Sequence, residues 1–187
     1  DELSVNIINK EQFPDKIPII DEVILSKESI DIDDSLLHKG PVGSISTYYV
    51  GWLGALETNS HDTKFYIPKK FQIIDSATGT GDITIYLTKD KSGDGYSGFT
   101  KSISDESQNQ ILKSNITIYD VENLSNEQFE TILRHEFGHA LGLAHSSAPE
   151  DLMYTTITTE YPYISECDID AIISLYDGQK TSVVCQK

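Results

Sequence analysis

The chain has 187 residues, of which 38% are hydrophobic and 24% are charged, a composition typical of one folded domain rather than two. Its formal net charge of −16 argues against nucleic-acid binding, because contacts to phosphate need a basic surface. No apolar run approaches the roughly 18 residues of a membrane-spanning helix. Because the single methionine is Met153, we expect that either a leader has been removed or the chain was cut from a longer one.

The first 35 residues carry few regular patterns. We interpret residues 1–20 as an extended arm, which is a solvated terminus, a propeptide remnant or a segment packed on the domain. A short strand is predicted at residues 23–26. Residues 31–35 form an acidic turn, DIDDS, that is a weak candidate for a calcium site, since clustered carboxylates usually face water.

Residues 40–59 are predicted to form a helix. Pro41 suits the first turn of a helix, where its missing N–H costs nothing. One apolar face recurs at spacings of three and four residues: Val42, Ile45, Tyr49, Trp52, Leu53 and Leu56. This spacing indicates packing in the core rather than an aromatic platform for a ligand.

Two strands and an acidic loop follow. Residues 71–74 and 82–89 are predicted strands, and the apolar–polar alternation of the second predicts that it is half-buried. Residues 90–101 begin like an EF-hand loop, with Asp90 and Asp94 at the expected positions. Lys101 stands where that loop needs a bidentate glutamate, so the match fails. We favour a Gly-rich surface turn here, with bound Ca²⁺ as the alternative.

The next strand and helix are clearly patterned. Residues 111–123 contain a strand with Ile116 and Ile118 pointing inward. Ser125 and Gln128 form a capping-box pattern, which starts a helix. The buried stripe predicted for this helix is Phe129, Ile132, Leu133, Phe137, Ala140 and Leu141.

A last helix is predicted from Ser165 to Gly178, with Ile169, Ile172, Ile173 and Tyr176 as its apolar face. The two cysteines lie in this helix, at Cys167, and in the tail behind it, at Cys185. They could form a disulfide, remain free thiols or bind a metal. We favour the disulfide, which requires an oxidising compartment.

Three of the five histidines fall within residues 135–145, HEFGHALGLAH. His135 and His139 are four residues apart, so on a helix both imidazoles can bind one zinc ion. Glu136 lies about 100° further round the helix, within reach of a water on that metal without being a ligand.

His145 can join the same metal only if the helix stops and the chain turns back. Gly142 can provide that stop, because glycine adopts the left-handed conformation that ends helices. Paired histidines on a helix are often surface or core features, but five fixed positions favour a catalytic zinc site with His135, His139 and His145 as ligands.

The segment HEFGHALGLAH resembles the zinc-binding signature of the metzincin metallopeptidases. Ser146, directly after it, is similar to the residue that the matrixin (matrix metalloproteinase) branch carries at this position. Residues 149–154, PEDLMY, resemble the matrixin Met-turn, and residues 164–178 resemble the helix that closes the matrixin catalytic domain. The resemblance implies an α+β fold with a twisted, mostly parallel sheet, an antiparallel edge strand, an active-site helix and a small C-terminal subdomain with one helix.

The resemblance also implies roles for individual residues. Met153 would lie beneath the zinc ligands as an apolar floor. An edge strand at residues 98–102 would bind extended substrate through Gly98, Phe99 and Thr100. Ile157 stands where matrixins carry a tyrosine of the pocket wall, and Thr155 where they carry a proline. We expect a medium or large apolar P1′ residue, the one just after the scissile bond.

Matrixins bind a structural zinc and calcium in the loop before the edge strand. Residues 88–110 contain no histidine, so we expect no second zinc, and Ca²⁺ remains a weaker candidate. No cysteine precedes residue 135, so the propeptide cysteine that holds some matrixins inactive is absent from this segment.

The sequence therefore predicts a secreted zinc-dependent endopeptidase that cuts extended protein substrates with a zinc-bound water activated by Glu136. We expect a monomer with an arm at residues 1–20, a catalytic domain at 21–178 and a tail at 179–187. The alternative is a latent or non-enzymatic, zinc-stabilised binding module, held closed by its N-terminal arm or by its C-terminal tail through Cys185.

Overall fold

The computed structural model describes residues 2–60, 62–76, 78–105, 107–108 and 110–179. The strands are β1 (Glu2–Ile8), β2 (Ser29–Asp33), β3 (Ile45–Tyr49), β4 (Lys70–Ile74), β5 (Ile83–Leu87), β6 (Gly98–Asp105) and β7 (Gln110–Ile118). The α-helices are α1 (Ile17–Leu25), α2 (Trp52–Glu57), α3 (Asn126–Ala140) and α4 (Glu166–Tyr176).

Five strands form the central sheet in the order β4-β1-β5-β7-β6. The first four are parallel to one another, and β6 pairs antiparallel with β7 at the edge. This confirms the predicted mostly parallel sheet with an antiparallel edge strand. β5 is not half-buried as its alternation predicted, because it is a central strand covered on both faces, and Thr84 is as fully buried as Ile85.

The N-terminal residues belong to the sheet, so the arm predicted for residues 1–20 is wrong for the residues described there. β1 lies between β4 and β5, and Val5 is fully buried. Asn6 is also buried, where its side chain donates to the carbonyl of Ser76 at 2.8 Å and accepts from the Ser76 N–H at 3.1 Å. These contacts make β1 an integral strand of the domain.

The strand predicted at residues 23–26 is wrong as well. Residues up to Leu25 belong to α1, which buries Ile20, Val23 and Ile24. These three positions have the i, i+3, i+4 spacing of a helix face, which the sequence interpretation missed in a short window.

The helix predicted for residues 40–59 is confirmed only at its end, where α2 forms. Residues of β3 pair antiparallel with β2 in a separate two-stranded hairpin. The β-branched and aromatic side chains of β3 favour a strand, and Val42 and Ile45 are exposed rather than in the core. The hairpin leaves the end of α1 and returns at Gly51, where a Cβ would lie 2.5 Å from the Ser26 carbonyl oxygen.

α3 packs against the sheet and begins at the predicted capping box. The Gln128 N–H donates to the Ser125 hydroxyl at 3.2 Å, and the Ser125 N–H donates to the Gln128 side chain at 2.9 Å. The helix ends at Ala140, and Gly142 takes a φ of 105°, as predicted. The chain can therefore reverse direction after α3.

α4 follows an irregular segment and is capped by Ser165, as predicted. None of the helices in the described part of the chain is both long and apolar enough to cross a membrane. The tail from residue 180 onward, including Cys185, lies outside the described residues, so the disulfide to Cys167 stays a prediction.

Candidate metal centre and substrate cleft

Three imidazoles converge at the end of α3. The Nε2 atom of His139 lies 3.0 Å from that of His135 and 3.1 Å from that of His145. His135 and His139 come from one face of α3, and His145 comes from the loop that turns back after Gly142. The structure thus brings the three predicted ligands together within 4.8 Å of one another.

The hydrogen bonds of the other ring nitrogens assign the tautomers. Nδ1 of His135 lies 2.7 Å from the Leu152 carbonyl oxygen, and Nδ1 of His139 lies 2.7 Å from that of Leu143. Carbonyl oxygens only accept, so both protons are on Nδ1 and both Nε2 lone pairs face the shared centre.

Burial keeps these rings neutral. It lowers the pKa of His135 to about 3 and also lowers the pKa of His139 and of His145. Lone pairs of neutral rings about 3 Å apart repel one another unless a cation lies between them. The donor set therefore fits zinc, which takes three imidazoles and leaves one position open.

Met153, predicted to be the apolar floor of this centre, is fully buried. A Cβ at Gly138 of α3 would come within 2.6 Å of its sulfur, so the methionine packs directly on the helix that carries the ligands. The Ser146 N–H donates to the Met153 carbonyl at 2.8 Å, and the Met153 N–H donates to Asp151 at 2.8 Å. Leu152, the hydrogen-bond partner of His135, is held in the same turn.

Glu136 is buried between α3 and the edge strand. The Thr100 hydroxyl lies 2.6 Å from its carboxylate and 3.0 Å from its backbone carbonyl. Burial raises the pKa of Glu136 to about 7, and the hydrogen bond from Thr100 opposes that rise. A Cβ at Gly98 would lie 2.7 Å from this carboxylate, so only glycine lets β6 approach so closely.

A cleft of about 1070 Å³ passes the histidines and Glu136. One side is β6, whose outer edge is unpaired in the sheet order. Residues 155–160, which we call the outer wall, also line it. The four residues predicted to bind substrate all line this cleft: Gly98, Phe99, Thr100 and Ile157. Phe99 is exposed and stacks on Tyr96 at 6.1 Å between ring centroids.

The sequence interpretation missed several lining residues. Gln128 and Thr131 line the cleft from α3, and Leu124 and Leu143 do so from the segments before and after it. A signal existed for the first two, because they stand seven and four residues before His135 and share its helix face. No sequence pattern marked the two leucines.

Comparison with known proteins agrees with this geometry. The matrixin family model matches residues 54–177. The chain is 47% identical to human (Homo sapiens) matrix metalloproteinase-20 over 53 residues, which cover 27% of this chain and 11% of that protein. It is 54% identical to matrix metalloproteinase-9 of Canis lupus familiaris over 46 residues, 24% of this chain and 6% of that protein.

Matrilysin of Mus musculus is 44% identical over 50 residues, 25% of this chain and 19% of that protein. The matches thus span less than a fifth of these three relatives. The family match, in contrast, covers most of this chain and includes all three histidines, Glu136 and Met153. With that match and this metal centre, the chain belongs to the matrixin family of zinc metalloendopeptidases.

Proposed function

We propose that the chain is a secreted zinc-dependent endopeptidase that hydrolyses peptide bonds in extended protein substrates. One observation carries this proposal: three imidazole nitrogens converge beside the buried carboxylate of Glu136, in a cleft edged by an unpaired strand. Three histidines leave a fourth metal position open toward the cleft, as a catalytic zinc site requires. Matrix metalloproteinases are generally extracellular, and we propose secretion of this chain on the basis of that family relationship.

Glu136 is the general base in this proposal. Bound zinc supplies a Lewis acid that lowers the pKa of a water and polarises a carbonyl group. The Glu136 carboxylate takes the proton of the attacking water and then gives it to the leaving amine. A pKa near neutrality suits both transfers, and burial between α3 and β6 provides it.

Extended substrate is proposed to add to β6 as a further strand. The open edge of β6 offers backbone N–H and C=O groups, and Gly98 lets a second backbone come close. Phe99 and Thr100 belong to the same edge, and Ile157 in the outer wall contributes an apolar contact. We retain an apolar P1′ residue as the preferred substrate feature.

The alternative of a zinc-stabilised binding module needs a protein ligand in the fourth position. Among the described residues, the metal-ligand group has three members. Closure of the cleft by the N-terminal residues is disfavoured, because β5 and β7 separate β1 from β6. Closure of the cleft by the C-terminal tail is tested separately, by removal of residues 180–187.

The disulfide and the calcium ion are subsidiary proposals. A disulfide between Cys167 and Cys185 would make the intact chain about two mass units lighter than its dithiol form. A free Cys185 thiol would instead leave the tail available to bind the zinc. At residues 90–101, Ca²⁺ stays the alternative to the favoured Gly-rich surface turn.

Cleavage of a diverse peptide library, read by mass spectrometry, tests the function. We expect cuts that stop when a zinc chelator is added and return when zinc is restored. A chain that holds zinc and cuts nothing, even after removal of residues 180–187, would contradict the proposal. Cuts that persist in the chelated, zinc-free chain would contradict it equally.

A further inference from the structure

Arg134 is a fully buried cation that the proposed chemistry does not use. It directly precedes the first zinc ligand in the sequence. Its Nε donates to the Val50 carbonyl at 2.8 Å, and its terminal nitrogens donate to the Pro162 carbonyl and to the Glu130 carboxylate. The guanidinium also lies 5.5 Å from the ring centroid of Tyr163. The planar guanidinium group of Arg134 thus connects three segments, which contain Val50, Glu130 and Pro162.

These segments meet around the Arg134 side chain. Val50 directly follows the hairpin strand β3, and Glu130 lies one turn earlier on α3. Pro162 comes two residues after the outer wall. Tyr49 and Ile164 exchange backbone hydrogen bonds of 2.9 and 3.1 Å beside this junction. The C-terminal end of the outer wall is therefore held to both α3 and the hairpin.

The N-terminal end of the outer wall is fixed independently. Tyr154 bridges to Ser146, and the Ser146 N–H donates to Met153 at 2.8 Å. His135 depends on this end, through the Leu152 carbonyl. Loss of the Arg134 side chain would therefore loosen the far end of the wall, leaving the Tyr49–Ile164 hydrogen bonds to hold it, and would leave the metal centre in place.

We propose that Arg134 is a positioning residue that sets where the outer wall stands relative to α3 and so determines how tightly the cleft holds its substrate. This inference rests on the proposed endopeptidase function and adds to it the means of substrate positioning. Lysine cannot replace the arginine fully, because a single ammonium cannot reach both carbonyl groups in the planar geometry of a guanidinium.

Arg134→Met and Arg134→Lys test the proposal in the zinc-loaded chain. The measurements are zinc per chain, kcat and KM on a peptide cut by the wild type, and amide hydrogen exchange of residues 155–164. For Arg134→Met we expect KM to rise about tenfold with kcat within about threefold, since ground-state contacts are lost. Amide exchange at residues 155–164 should accelerate, and zinc should stay bound. The KM and exchange rates of Arg134→Lys should lie between those of the wild type and Arg134→Met.

Lys27→Met is the matched control, because Lys27 is an exposed cation paired with Glu57 at 2.7 Å. It should leave KM and exchange unchanged. If Arg134→Met keeps the wild-type KM and exchange, the proposal is overturned. Zinc loss or a fall in kcat alone would also overturn it, because Arg134 would then act on the metal centre.

Two further outcomes remain decisive. If Arg134→Met does not fold, Arg134→Lys replaces it, and unchanged KM and exchange in that variant refute the proposal. If the wild type cuts no peptide, the endopeptidase proposal fails, and the exchange measurement still decides whether Arg134 holds the wall.

Discussion

The carboxylate of Glu136 is subject to two opposing influences. Burial raises its pKa to about 7, whereas the hydrogen bond from Thr100 stabilises the ionised form and lowers it. Zinc, when bound, adds a positive charge that lowers it further. In the proposed mechanism Glu136 must be ionised to take a proton, so we expect its pKa to set the acidic limb of the activity profile.

Thr100→Val should move that limb to higher pH. The substitution removes the hydrogen bond that favours the carboxylate, so the pKa of Glu136 rises and activity is lost at a higher pH than in the wild type. We expect a loss of kcat/KM of about tenfold on the acidic side and a smaller loss above neutrality. The profile of kcat/KM against pH measures both.

Thr117→Val provides the control for this prediction. Thr117 pairs with Phe99 across β6 and β7, so it lies on the face of the sheet opposite Thr100. An unchanged limb in Thr117→Val and a shifted limb in Thr100→Val would support the assignment. A Thr100→Val profile that superimposes on the wild type would refute it.

At this scale the sequence predicted the metal centre but not Arg134, the buried cation behind the outer wall's position. The spacing of the histidines and the position of Gly142 are local, so they could be interpreted without a structure. Arg134 is different, because its carbonyl partners, Val50 and Pro162, lie 84 and 28 residues away. Burial of a charge depends on such distant partners, which no local pattern reveals.

At the scale of elements, α3 and the Met-turn are in close contact beside the histidines. Gly138 is where Met153 touches the helix, and a Cβ there would also lie 3.1 Å from the Trp52 ring. Alanine favours a helix over glycine by roughly 1 kcal/mol, but overpacking a core costs about 1–3 kcal/mol. The packing cost should therefore dominate.

Gly138→Ala should lower the free energy of unfolding by about 1–2 kcal/mol despite its better helix propensity. Zinc should also bind more weakly, because Met153 and the adjacent Leu152 carbonyl must shift. Denaturant unfolding and competition with a zinc chelator measure the two effects. In Gly93→Ala the added Cβ meets nothing within 4 Å, so stability should not change. A Gly138→Ala protein as stable as the wild type would contradict the packing argument.

Elements with local start and stop signals were predicted well. The capping-box pattern of Ser125 and Gln128 marked the start of α3, and Gly142 marked its end. Ser165 and Gly178 marked the ends of α4, and the apolar–polar alternation of residues 82–89 marked β5. The hairpin was not predicted, because its apolar residues happen to continue the spacing of α2. β1 was not predicted either, since its place between two parallel strands is set by pairing across some 70 residues.

At the scale of the whole molecule, a buried acid pair joins the Met-turn to α4. Asp168 is fully buried and accepts from the N–H and hydroxyl of Ser165, each at 2.9 Å. Asp151 is buried beside it, with the Lys39 ammonium of the hairpin connection 4.0 Å away. Burial, and then the negative charge of Asp151, raises the pKa of Asp168 to about 8.

This raised pKa makes stability depend on pH. The folded chain keeps the Asp168 proton up to about pH 8, whereas the unfolded chain loses it near pH 3.8. The associated stability is fully present below pH 3.8 and is lost progressively until pH passes about 8. Asp168→Asn removes this titration and keeps an acceptor for Ser165.

Relative to wild type, Asp168→Asn should therefore become more stable by at least about 1 kcal/mol between pH 5 and pH 8. Chemical denaturation of both proteins at each pH measures the difference. Asp170→Asn, on an exposed position of the same helix, is the control and should track the wild type. A difference between wild type and Asp168→Asn that does not change with pH would rule out the raised pKa.

The overall architecture was predictable only because the metal-binding segment resembles a known family. Composition and charge alone indicated one folded acidic domain. The order of the strands depends on contacts between distant residues, and the hairpin between α1 and α2 leaves no signal that separates it from a helix. The family resemblance predicted the sheet and the active-site helix, whereas the hairpin was found only in the structure.

The most direct test of the account compares the chain with Glu136→Gln. This substitution keeps the size of the side chain and removes its capacity to take a proton. Both proteins should bind about one zinc ion per chain, and cleavage of a peptide cut by the wild type should fall at least about a hundredfold in the variant. Equal cleavage by both proteins, or a wild type that binds no zinc, would contradict the account.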